Sequence, residues 1–166
     1  MQEIKQQLEL LSRYGVECDI IGGVAAALHG SSTPTYDLDV CYARDPANLD
    51  RLAQALTAVH ATLRGAPAGL PFILDAETLR RGLNSTFDTG IGPVDILGEI
   101  SGVGGFDEAR DGAVVYELFG SRFPVLALEK LISAKRAAGR TKDLEMIPEL
   151  EAIQEHLEGQ NDESKD

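Results

Sequence analysis

Tyr36 to Ala43 sets two carboxylates, Asp37 and Asp39, in alternation with Leu38 and Val40. A period of two marks a strand with one face buried. Such a strand requires a sheet, because Leu38 and Val40 leave water only against neighbouring strands and covering helices. The other face then carries two like charges roughly 7 Å apart. Upstream, Val16–Ile21 is a second β-branched run. It is broken by Gly22-Gly23 and followed by the alanine-rich helical segment Val24–Leu28. Two strands flanking a glycine turn and a short helix already indicate a mixed α/β chain.

The remaining pattern agrees. Ile4, Leu8 and Leu11 recur at helical spacing until Gly15. Asp45-Pro46 is an N-cap followed by proline at the first helical position, and Leu49, Leu52, Leu56 and Val59 carry that helix to about His60. Residues 61–75 are loop-like, and Asp75 is placed to cap a helix over Ala76–Leu83. Ser85–Thr89 and Pro93–Leu97 are strands around Gly90-Ile91-Gly92. Residues 98–112 are irregular, with a short helix near Asp107–Arg110. Strands follow at Val114–Phe119 and Arg122–Val125. Two helices, Ala127–Ala138 and Lys142 to about Leu157, close the pattern around Gly139-Arg140-Thr141.

A chain of 166 residues suits one domain, assigned to 1–158. Glu155–Asp166 holds five acids against one lysine, and Gly159–Asp166 is expected to be a disordered acidic tail. The net charge of −12 argues against a broad nucleic-acid-binding face, though not against a local basic pocket. No run approaches the ~20 apolar residues of a membrane span, and no secretory leader is read at Met1–Lys5. Cys18 and Cys41 lie in strand-like runs, which reads as buried thiols in a cytoplasmic protein.

Three features carry chemistry. Asp37 and Asp39 repel each other unless a cation lies between them, and Mg²⁺ is a natural load. The same pair also reads as two solvated carboxylates on an exposed face. Gly22-Gly23 opens a helix whose amides could receive a phosphate; a plain strand–helix turn has the same sequence. Asp95 interrupts an apolar strand and wants a partner or a metal, unless it lies at a wet sheet edge. If its strand neighbours the first pair, three carboxylates converge. His29 reads as a cap or packed ring, and His60 and His156 receive no role. Lys135 and Arg136 sit near a helix C-terminus, which their charge also suits. Tyr36 and Tyr42 flank the acids as base-stacking or packed strand residues.

Gly22-Gly23, thirteen residues, Asp37-Leu38-Asp39-Val40 and the later Asp95 together resemble the DNA polymerase β-like nucleotidyltransferase superfamily. The stretch Gly22-Gly23-Val24-Ala25-Ala26-Ala27-Leu28-His29-Gly30 is most similar to its small bacterial branch, which includes AbiEii-type toxins of toxin–antitoxin systems. Leu131–Leu144, with Lys135, Lys142 and Asp143, resembles that branch's C-terminal signature. The resemblance implies a small mixed sheet with helices packed on one side and a C-terminal helical pair. It implies transfer of a nucleotidyl group from a nucleoside triphosphate to a hydroxyl. Asp37, Asp39 and Asp95 would ligate two Mg²⁺ (or Mn²⁺) ions and act catalytically. Gly22, Gly23, Lys135 and Lys142 would bind nucleotide phosphates, with Asp143 orienting a base. The acceptor is left open among an RNA 3′ end, a protein and a small molecule, and an antitoxin or partner subunit is implied. A non-catalytic nucleotide-binding or partner-binding module is the alternative. Two positions depart from the branch: Thr33 stands where an arginine is usual, and Gly23 where many active transferases carry serine.

Overall fold

Helix α1, Gln2–Arg13, buries Ile4, Leu8 and Leu11 along one stripe. It stops at Gly15, whose φ of 67° is left-handed. Buried Gln7 donates from its amide to the carbonyls of Ile91 and Pro93, both at 3.0 Å, which pins α1 to a distant hairpin. Strand β1 is Cys18–Ile21, helix α2 Gly22–His29, strand β2 Leu38–Tyr42 and helix α3 Pro46–Ala58. As the sequence predicts, Asp45 caps α3, accepting from the Asn48 N–H at 3.1 Å. Strand β3, Thr62–Leu63, lies inside the segment expected to be loop. Helix α4, Ala76–Arg81, is capped by Asp75. Strands β4, Asn84–Asp88, and β5, Val94–Leu97, form the expected hairpin. The irregular stretch holds β6, Glu99–Ile100, β7, Gly104–Gly105, and helix α5, Phe106–Arg110. Strands β8, Val114–Leu118, and β9, Ser121–Val125, precede helices α6, Leu128–Ala138, and α7, Thr141–Glu163. This computed structural model describes residues 2–67 and 69–164.

Seven strands make one mixed sheet in the order β3-β4-β5-β2-β1-β9-β8, and β6 and β7 pair separately. Strand β2 runs parallel to β5 and antiparallel to β1, and β1 runs parallel to β9. The fold class is therefore the mixed α/β one expected. Leu38, Val40, Val94 and Ile96 are buried on one face of the central strands, and Asp39 and Asp95 alternate with them onto the other. One apolar cluster joins these to Leu8 of α1, Leu52 and Leu56 of α3, Leu131 of α6 and Leu150 of α7. Helix α5 is latched to β1 by Arg110, whose Nε donates to Asp19 Oδ1 at 2.7 Å. Burial pushes the Asp19 carboxyl up, partly offset by Arg110. Cys18 and Cys41 are free and buried, and burial pushes both thiols up to about 12.

At the C-terminus the structure departs from the sequence reading. Helix α7 continues to Glu163, through most of the stretch expected to be a disordered tail. From Glu155 onward its side chains are exposed. Once a helix is nucleated on an anchored face, each further residue adds a backbone hydrogen bond and needs no tertiary contact. Lys165 and Asp166 lie outside the described residues.

Candidate active site

The parallel pairing of β2 with β5 sets Asp39 directly opposite Asp95. On its other side, Asp39 faces Ile21, the last residue of β1. The chain therefore turns into α2 beside the Asp39 carboxylate. Gly22 makes this turn with φ 63°, and a Cβ there would lie 2.1 Å from Asp39 Oδ2. No L-residue with a side chain fits that place without displacing the acid. A Cβ on Gly23 would lie 2.5 Å from Thr35 Oγ1. The volume a serine would occupy at this position is already filled by the threonine of the loop before β2.

Burial, the charge of Asp95 and a carboxyl–carboxyl hydrogen bond with it push the Asp39 pKa up to about 7, with Asp37 adding to the rise and Lys135 opposing it. Asp37 itself is exposed and precedes the first residue of β2, so no ladder hydrogen bonding locks it beside the other two. Its charge reaches Asp39 and Arg64 only through space. The expected trio is thus a tight pair, Asp39 and Asp95, with Asp37 at its rim. Among the described residues no cluster of three or more His, Cys, Asp or Glu side chains is grouped to hold a metal ion.

A cavity of about 280 Å³ opens over the pair, with Lys135 and Arg140 on one wall and Leu97, Leu126 and Leu131 on the apolar one. Asp143, 1 % exposed, clamps both cations. Lys135 Nζ donates to its Oδ1 at 3.3 Å, and Arg140 donates to its two oxygens at 2.6 and 3.2 Å. Burial raises the Asp143 carboxyl, but these hydrogen bonds outweigh it and hold it below the ordinary range. Lys135 therefore lines the cavity. Lys142, expected beside it, does not: it is exposed on the first turn of α7, rotated about 100° from the inward-facing Asp143. Arg140 supplies the second cation of the wall.

Sequence reasoning missed Arg140 and Arg64. Arg140 lies in the break between two helices, and its only signal was a base three residues before Asp143. Arg64 follows β3. Its Nη2 donates to Asp95 Oδ1 at 3.1 Å and to the Phe87 carbonyl at 3.2 Å, and its Nε to Asp88 Oδ1 at 3.2 Å. Nothing in a glycine- and proline-rich stretch announces that contact. Other candidates are structural or distant. His29 Nε2 lies 2.7 Å from the Leu126 carbonyl. Tyr42 is buried and donates to the Leu83 carbonyl at 2.9 Å, whereas Tyr36 is 79 % exposed. Thr33 is exposed, and its N–H donates to Ser31 Oγ at 3.2 Å. His60 and His156 do not line the cavity.

No protein-family model matches the chain, and no curated protein matches it in sequence. Solved structures do match. An inferred nucleotidyltransferase from Thermotoga maritima superposes with a TM-score of 0.55 at 17 % identity, covering 88 % of each chain. The lincosamide antibiotic adenylyltransferase LnuA, solved with lincomycin bound, gives a TM-score of 0.59 at 16 % identity, covering 91 % of this chain and 96 % of its own. The antibiotic-resistance factor ANT(2″)-Ia gives 0.52 at 13 % identity, covering 98 % of this chain and 93 % of its own. Three nucleotidyltransferase or resistance-factor structures matched over nearly the whole length converge on one conclusion: this chain has the nucleotidyltransferase fold.

Proposed function

We propose that the protein, acting as a single domain, transfers a nucleotidyl group from a nucleoside triphosphate to a hydroxyl acceptor, with release of pyrophosphate. The observation that carries this reading is the Asp39–Asp95 pair, side by side at the floor of a cavity whose wall holds Lys135 and Arg140. An Asp39 carboxyl raised to about 7 by burial, and further by the adjacent Asp95, is a site short of positive charge. Two carboxylate donors and a glycine turn that leaves Asp39 accessible fit a hard divalent cation, which takes one or two carboxylates and completes its shell with phosphate oxygens. Asp39 and Asp95 would hold it, with Asp37 at the rim. Mg²⁺ or Mn²⁺ bound there would neutralise charge building on the phosphates.

The chain's own groups do the rest. Lys135 and Arg140, fixed by Asp143, bind the triphosphate and orient it for in-line attack. Gly22, which lines the cavity beside Asp39, and Gly23 open α2, whose first backbone amides receive the phosphate oxygens. Asp95 takes the proton from the acceptor hydroxyl as the new P–O bond forms and the bond to pyrophosphate breaks. LnuA was solved with a small antibiotic bound, which favours a small hydroxyl compound over an RNA 3′ end for a chain this acidic. The resemblance to AbiEii-type toxins adds an antitoxin as a proposed partner. Buried reduced thiols suit the bacterial cytoplasm. Among the described residues no helix is long and apolar enough to cross a membrane.

Incubation with each α-³²P-labelled triphosphate, Mg²⁺ and panels of small-molecule, RNA and protein acceptors should give label transfer. Asp39→Asn and Asp95→Asn should each reduce it by about 10³-fold or more. Unchanged binding and transfer in both variants overturns the reading. A nucleotide-binding module without turnover is the second reading, favoured by Thr33, which brings no guanidinium to the cavity. Saturable Mg·NTP binding with no transfer to any acceptor would support it.

A further inference from the structure

The Arg64 guanidinium occupies an oxygen of Asp95 on the flank opposite Lys135 and Arg140. The sheet order makes this separation: β3 and β4 lie on one side of β5 and β2, while β1 and β9, which lead into α2 and α6, lie on the other. Arg64 is held in place by its own backbone, whose N–H donates to the Thr86 carbonyl at 3.0 Å, and by the Phe87 carbonyl and Asp88 at its head. Its side chain is 35 % exposed and that of Asp95 20 %, so the pair is partly withdrawn from water. A planar guanidinium that reaches two carboxylates and a carbonyl at once is a fixed charge, not a loose surface partner.

We propose that Arg64 is a positioning residue standing where a second divalent ion would otherwise be needed. It holds Asp95 by one oxygen and limits the acid pair to one ion. The proposal rests on Asp39 and Asp95 being the nucleotidyl-transfer site. The sequence reading expects two ions spread over three carboxylates. The structure instead offers a pair of acids on neighbouring strands, an exposed third and an arginine on one oxygen of Asp95. A second dication beside that guanidinium would meet repulsion from a charge that cannot be deprotonated.

Mn²⁺ bound per chain, counted by electron paramagnetic resonance with each non-hydrolysable α,β-methylene triphosphate present, tests this. The full chain should bind one Mn²⁺. Arg64→Gln should bind two, and Arg64→Lys, which keeps a charge there, should return toward one. Two ions on the unaltered chain, or one on Arg64→Gln, overturns the role of Arg64 and leaves the proposed function standing. No Mn²⁺ on the unaltered chain, or binding indifferent to Asp39→Asn, overturns the proposed function itself. Circular dichroism melts accompany each variant. If both Arg64 variants unfold without ligand, the arginine is a stability residue and the proposal is wrong.

Discussion

Gly22 and Asp39 share a space that holds only one of them with a side chain. Gly22→Ala would place a methyl group 2.1 Å from Asp39 Oδ2 in a left-handed backbone. The expected cost is more than about 2 kcal/mol in urea unfolding, accompanied by loss of nucleotide binding. Asp39 also makes stability depend on pH. Its folded pKa, about 7, lies above the ordinary carboxylate value, so between pH 4 and 7 the folded state holds a proton that the unfolded chain has released. Stability of the EDTA-treated protein should therefore fall as pH rises through that window, by up to about 4 kcal/mol for a shift of this size. Asp39→Asn should flatten the fall, and added Mg²⁺ should stabilise more at pH 7.5 than at pH 5. Melts across pH in both metal conditions measure each effect. The two acids and the glycine were legible because period two and a glycine pair are local signals. Arg64 was not, since its partners Asp88 and Asp95 lie 24 and 31 residues away.

Between elements, Asp143 does what neither helix could do alone. Helix α6 ends at Gly139 in a left-handed conformation, and α7 begins two residues later. The buried carboxylate on α7 gathers Lys135 from α6 and Arg140 from the break. Asp143→Ala would leave the mostly buried Lys135 without its partner. A stability loss of about 2–3 kcal/mol is expected, the exposed Arg140 contributing little of it. KM for the triphosphate should rise more than kcat falls, because the wall is disordered while the acids remain. Fluorescence-monitored unfolding and steady-state kinetics on the same preparation check both. Helical periodicity and a glycine break made α6 and α7 legible. Which of Lys142 and Asp143 faces inward was decided by how α7 seats on α6.

For the molecule as a whole, the end of α7 offers a different test. Its exposed last turns carry acids and few apolar contacts. Removing Gly159–Asp166 should change stability by less than about 1 kcal/mol and leave transfer intact. A larger loss in a thermal melt would mean that the helix end is part of the folded unit. Local alternation, helical spacing, caps and glycine breaks determined where nearly every element lies, because each depends on side chains within a few residues. They also named Asp39 and Asp95. Only the tertiary structure decided that β5 inserts beside β2, closing the two acids into a pair, that Asp37 stays at the rim, and that Arg64 and Arg140 supply the positive charge on either flank. Strand order and ion pairing across dozens of residues depend on how the whole apolar surface is buried at once, and no short window of sequence contains that.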